Sequence, residues 1–308
     1  MATTYYLNND TGSDGNAGTS AGAAWETWGY ALGQLSTGDT LYVEATSTPY
    51  AMANVSNIPA CSIIGSAKPN PITGVAVKVD GSGGDYFHEC NAGYDMTNIW
   101  FNDFGDSSAG GVFYLDRTGS SGHNVFNWDN CIFSNLYGRS ATAGRGGIFS
   151  GGSAVNGYGA DSLTWNMTNC KFVNLEAYSS GAAGIAWVAY NAPHAINLDH
   201  CDWYSTTPSR YALDTIVGNY SAQVATVTIT NSNIANNSGQ TLGINTNYSG
   251  AGYSSNFAFT FDGGTYTNID TTSGTITNFT NADAQYIDPA NWDFRLQGSS
   301  PAINRGEV

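Results

Sequence analysis

The sequence predicts an all-β chain wound into a right-handed parallel β-helix, a three-sheet solenoid with a short helix capping its start. Three observations predict it. First, six segments superpose on one pattern of apolar, polar, Asn or a substitute, small, variable, aromatic, variable, Asn/Asp/Ser. They begin at Met96, Trp128, Met167, Leu198, Ile229 and Phe261, and their fourth positions fall at 99, 131, 170, 201, 232 and 264. The steps of 32, 39, 31, 31 and 32 residues mark a stack of equivalent supersecondary units. Second, each unit alternates apolar and polar residues before its Asn, as in Phe126-Asn127-Trp128-Asp129 and Val227-Thr228-Ile229-Thr230, which is the period of a half-buried strand. Third, charged residues are only 11 % of the chain while glycine reaches 38 residues, a balance suited to short strands and tight turns.

Taken in order, residues 24 to 35 offer a short helix with Trp25, Trp28, Leu32 and Leu35 on one face, ended by Thr37-Gly38-Asp39. In each repeat the strand before the Asn is followed by a bend and a second strand, so that Cys131 and Phe133 point inward and Ile132 and Ser134 outward. A third apolar stretch follows, at Val112 to Leu115, Gly147 to Phe149, Ile185 to Tyr190, Leu213 to Val217 and Leu242 to Ile244. Three strands per turn, each pairing with its equivalent about 4.8 Å along the axis, describe the β-helix. The expected organisation is one continuous domain: cap and first strand in 1–45, coils in 46–280, closing segment in 281–308. Stacking leads us to expect Asn98, Asn130, Asn169 and Asn231 to form a buried amide ladder, with His200 standing in once. Cys131, Cys170 and Cys201 share one inward position, and all five cysteines read as reduced core residues.

Charge excludes several functions. Nine Lys+Arg against 24 Asp+Glu give a net charge of −15, which argues against nucleic acid, anionic membrane and acidic polymers as partners. No stretch approaches 18 consecutive apolar residues. The Met1 to Tyr5 start has neither basic nor apolar region, so no secretory signal is visible.

Both ends resemble a known family. Tyr5-Tyr6-Leu7, Gly12-Ser13-Asp14-Gly15, Gly18-Thr19, Trp25-Glu26-Thr27, Ala31 and Gly38-Asp39-Thr40-Leu41-Tyr42-Val43 resemble the opening of right-handed β-helix proteins of the pectate-lyase-like superfamily. Tyr286 to Leu296, followed by Ser299-Ser300-Pro301-Ala302-Ile303-Asn304-Arg305-Gly306, is similar to their closing segment. The resemblance implies the fold and leaves the activity open, since the superfamily includes lyases, hydrolases, epimerases, adhesins and bacteriophage spike or decoration proteins.

Lyases of this superfamily use Arg or Lys as base beside a cation-neutralised carboxylate. Of the nine basic residues only Arg139 and Arg145 sit close in sequence, and Lys171 faces outward one turn from Asp202, where a surface ion pair is expected. Hydrolases need converging carboxylates. Asp129, Asp199 and Asp262 form an outward column with Thr168 and Thr230 between them, which places them on alternate turns about 10 Å apart. These five, Asp129, Lys171, Asp199, Asp202 and Asp262, are the catalytic candidates. His88-Glu89 with Asp85, and Asp116-Arg117 with His123, are smaller acid/base clusters. Asp10, Asp14 and Asn16 place oxygens at alternating positions, as a calcium loop would, although Asx turns explain the loop equally well. Calcium is the one cofactor this loop suggests, and none is expected otherwise.

Aromatic residues make up 13 % of the chain. Tyr137, Tyr158, Tyr178, Tyr220, Tyr248 and Tyr253 fall in Gly/Ser/Asn-rich segments, where a ring beside amides stacks on sugars. The expected function is therefore a non-catalytic structural or adhesive protein on a phage exterior, decorating capsid or tail. Its partners would be other virion subunits, its own copies as a homotrimer, and polysaccharide bound through loop aromatics. The alternative is an extracellular polysaccharide lyase or glycoside hydrolase.

Overall fold

The computed structural model describes residues 1–86, 88–90, 92–106, 113–115, 123–138, 149–151, 162–177, 183–189, 194–205, 211–217, 225–236, 242–245, 257–266, 269–270 and 275–303. It is a parallel β-helix built of three files of strands. The first file runs Thr4–Leu7, Thr40–Val43, Ser62–Gly65, Asp95–Thr97, His123–Asp129, Ser162–Thr168 and His194–Asp199, then through the first halves of Ala225–Asn236, Phe257–Tyr266 and Thr275–Asn281. The second follows each bend, through Val77–Asp85, Ile99–Asp106, Ile132–Gly138, Lys171–Val173 and Asp202–Ser205. The third comprises eight strands from Val55–Ile58 to Ile269–Asp270, among the described residues.

The repeat in sequence becomes register in space. Trp128 lies opposite Met96 and Met167, and Phe133 opposite Phe101 and Phe172. Inside, the aromatic position of the repeat forms a column: Phe101 and Phe133 stack at 5.8 Å and 9°, Phe133 and Phe172 at 5.6 Å, Phe172 and Trp203 at 4.8 Å. Phe113 and Phe149 of the third file stack beside it at 5.2 Å. Flat rings suit a stack of nearly identical turns because each ring meets its equivalent face to face and the next file edge-on.

The bends are where the Asn residues act. Asn98, Asn130, Asn169, His200 and Asn231 have φ of 62, 52, 55, 51 and 49°, the left-handed region that Asn tolerates better than most residues, and Gly263 occupies it in the next turn. A second bend repeats the device at Asp103, Asn135 and Asn174. The N–H groups of Asn98, Asn130, Asn169 and His200 still donate to the neighbouring turn, as from Asn130 to Thr168 O and from Asn169 to Asp199 O, both at 3.0 Å. The residue after the bend is buried and shrinks along the stack, from Ile99 through Cys131, Cys170 and Cys201 to Ser232 and Gly264. Its thiols are free and point at backbone carbonyls, Cys170 Sγ lying 3.6 Å from Trp128 O.

The buried ladder expected at the bends is not formed. The left-handed backbone turns those side chains outward, and Asn169 and His200 are exposed. A true amide ladder stands on the outer face of the first file instead. Asn127 donates to Asp95 at 2.7 Å, Asn166 to Asn127 at 2.8 Å and Asn197 to Asn166 at 2.8 Å.

Trp25, Trp28, Leu32 and Leu35 are all buried, and the helix spans Trp28–Gln34. Trp28 lies over the start of the interior, stacked on His88 and edge-on to Phe101. Among the described residues no helix is long and apolar enough to cross a membrane.

Candidate functional site

Asp129 and Asp199 are structural hubs of the outer face. Asp129 accepts from Asn130 of its own turn at 2.7 Å and from Asn169 of the next at 3.0 Å. Asp199 accepts from Thr230 at 2.8 Å and Asn231 at 3.0 Å, and His200 Nδ1 lies 3.0 Å away. Partial burial raises the Asp199 pKa, but the hydrogen bonds from Thr230, Asn231 and His200 outweigh it and the net shift is downward. Asp262 also has a partner. Asp129 and Asp199 thus each tie a bend to the turn above it, and the alternation of Asp with Thr supplies one acceptor for the donors of two turns.

Lys171 and Asp202 are directly opposed on adjacent strands, and Nζ meets Oδ2 at 2.7 Å. Their surroundings were not legible in sequence. The C-terminal segment forms an antiparallel hairpin, Tyr286–Asp288 with Asp293–Leu296, that lies along the flank of the second file. Tyr286 Oη donates to Asp202 Oδ1 at 2.7 Å, and Asn233 reaches the same oxygen at 3.1 Å. Burial, reinforced by the Asp202 charge, holds the Tyr286 phenol well above its usual pKa, so it remains a donor. Phe294 is buried with Val173 and Tyr204, Lys171 Nζ stands 4.8 Å over the Phe294 ring, and Trp292 meets Trp100 at 5.1 Å. The alternation Tyr286, Trp292, Phe294 was the available signal, but nothing in it says which surface receives the rings.

Two shallow grooves border the hairpin. One, of about 410 Å³, is lined by Lys68, Asn169, Lys171, His200, Asp202, Asn231, Asn233 and Phe294 among others. The other, of about 380 Å³, shares Lys68 and Lys171 and adds residues 69–72, Trp292 and Arg295. The structure therefore gathers Lys171, Asp202 and His200 into one groove and leaves Asp129, Asp199 and Asp262 outside its lining.

Elsewhere, Asp14 Oδ1 accepts from Glu26 N and Thr27 N, both at 2.9 Å, and Oδ2 from Thr27 Oγ1 at 2.7 Å, which pins the approach to the helix. Asp10 holds Ser47 through N and Oγ, and Asn16 Nδ2 donates to Ala24 O. Among the described residues no group of three or more His, Cys, Asp or Glu is placed to hold a metal. His88 is fully buried, and burial brings its pKa down to about 3. Tyr137 is half-buried on the second file, opposite Gly105 and Glu176. Tyr158, Tyr178, Tyr220, Tyr248 and Tyr253 lie outside the described residues, as do Asp116, Arg117, Arg139, Arg145, Arg210 and Arg305.

No protein-family model matches the chain. No curated protein matches it. Among solved structures, a rhamnogalacturonan lyase is similar with a TM-score of 0.33 at 10 % identity, over 93 % of this chain and 91 % of that one. The fold rests on the strand pairings and not on that likeness.

Proposed function

We propose that this β-helix is a non-catalytic structural and adhesive protein that binds glycan on a rigid stack, in the setting of a phage exterior as a capsid or tail decoration. The observation that carries the reading is the use of the candidate catalytic groups. Asp129 and Asp199 tie bends together, Asp202 is occupied by Lys171, Tyr286 and Asn233, and the Lys171 ammonium is engaged by a carboxylate and an aromatic face. A general base must have a lone pair to offer the substrate, and an ammonium donating to Asp202 has none. The groove beside the hairpin, with amides, a cation and aromatic rings, has the chemistry of sugar recognition. The virion setting, and assembly with other virion subunits or as a homotrimer, are supported by the resemblance of both chain ends to a superfamily that includes phage proteins.

The second reading, a polysaccharide lyase or hydrolase, is favoured by one feature: Lys171, His200 and Asp202 line the same groove. Incubation with polyuronates and capsular glycans, with and without calcium, separates the two. We expect glycan binding without unsaturated or reducing ends; product formation that Lys171→Ala or Asp202→Asn abolishes would overturn the reading. Sedimentation equilibrium addresses the homotrimer, which a monomer at micromolar concentration would exclude.

A further inference from the structure

We propose that the groove between the hairpin and the second file takes a largely neutral glycan at a unit bearing a single anionic substituent, with Lys68 as its counter-ion. This deepens the glycan-binding reading above and rests on it. Among the described residues all four Lys and Arg side chains lie on this flank of a protein whose net charge is −15. Lys78 meets Asp80 at 2.7 Å, Lys171 meets Asp202 at 2.7 Å and Arg295 meets Asp293 at 2.6 Å, so each is matched by one carboxylate. Lys68 is exposed, borders both grooves and makes no ion pair among the described residues.

One ammonium with no ion pair among the described residues fits one anion. A polyuronate would place further carboxylates against Asp202, Asp293 and the overall negative field, so dense anionic polymers are disfavoured where an isolated acidic substituent is not. The rest of the lining suits hydroxyls. Asn169 is exposed and spends one N–H on Asp129, while Trp292 is half-buried in the adjoining groove and offers a ring beside Lys68. Carboxylate, sulfate and phosphate share the chemistry that a lysine point charge recognises.

The test is an array of matched pairs, neutral oligosaccharides beside the same backbones carrying one uronate, one sulfate or one phosphate, with hexagalacturonate as the polyanion, followed by calorimetry on the tightest pair. The expected result is a preference of about two- to fivefold for the singly charged member, the range of an exposed ion pair. It should fall in high salt, and the polyanion should bind worst. Lys68→Gln should erase the preference and leave the unfolding midpoint unchanged. Equal binding of both members, tightest binding of hexagalacturonate, or a preference that survives Lys68→Gln overturns this inference alone. Absence of binding to every glycan overturns it together with the adhesive reading.

Discussion

At its N-terminal end the stack is plugged from above, whereas its C-terminal segment turns back and straps the side. Trp28 is fully buried over His88 and Phe101, in line with the aromatic column. The hairpin instead makes a separate apolar cluster with Val173 and Tyr204 and spans from Trp100 to Asp202, across several turns. In a solenoid each turn touches only its neighbours. A plug therefore protects one end, while a strap couples turns that otherwise never meet.

The comparison can be broken at either place. Trp28→Ala removes a side chain with no exposed area from the plug and should cost about 3–5 kcal/mol, read by denaturant unfolding; a loss below about 1 kcal/mol would mean that the plug does not seal the interior.

Acid should strike the same end. His88 has a folded pKa of about 3 against an ordinary 6.5, so the folded state resists a proton that the unfolded chain accepts. Its contribution is complete above pH 6.5 and is lost as pH falls toward 3, on the order of 5 kcal/mol at the limit. His88→Phe should flatten the stability curve between pH 6.5 and about 4.5. Below that, protonation of Asp14, Asp80 and Asp199, whose folded pKa values are lowered by net hydrogen bonding against burial, removes their contribution in both proteins.

The strap should respond more gently. Tyr286→Phe deletes the hydrogen bond to Asp202 while keeping the ring, for an expected loss of about 1–2 kcal/mol. Hydrogen exchange should then rise along the second file near Lys171 and Asp202 and remain unchanged around Trp28. Equal acceleration at both ends would show that plug and strap are not separable.

The bends should respond on a scale similar to the strap. Asn169 has φ 55°, so Asn169→Ala should cost about 1–2 kcal/mol, whereas Asn169→Gly, which relieves the backbone and loses only the bond to Asp129, should cost less. Reversal of that order in urea titrations would show that the side chain, not the backbone, fixes the bend.

What was legible in the sequence follows this division. The period, the inward file of Cys131, Cys170 and Cys201, and the helix face of Trp25, Trp28, Leu32 and Leu35 were readable because burial in a repeating strand or helix is periodic. The amide ladder was placed at the wrong Asn. Asn occurs both at the bends and at 127, 166 and 197, and only the left-handed φ decides which set faces its own kind. The strap was unreadable because the contact between Tyr286 and Asp202 spans 84 residues and breaks the period. For the same reason the groove it walls was invisible, although Lys171 and Asp202 were correctly paired.

The central claim is that the carboxylates which look catalytic are the fasteners between turns. Calorimetric unfolding of Asp199→Ala tests it most directly, because that change strands the donors of Thr230 and Asn231 on the next turn. The account predicts a midpoint lowered by about 1–2 °C, the response to roughly 1 kcal/mol in a chain of 308 residues. An unchanged midpoint would contradict it.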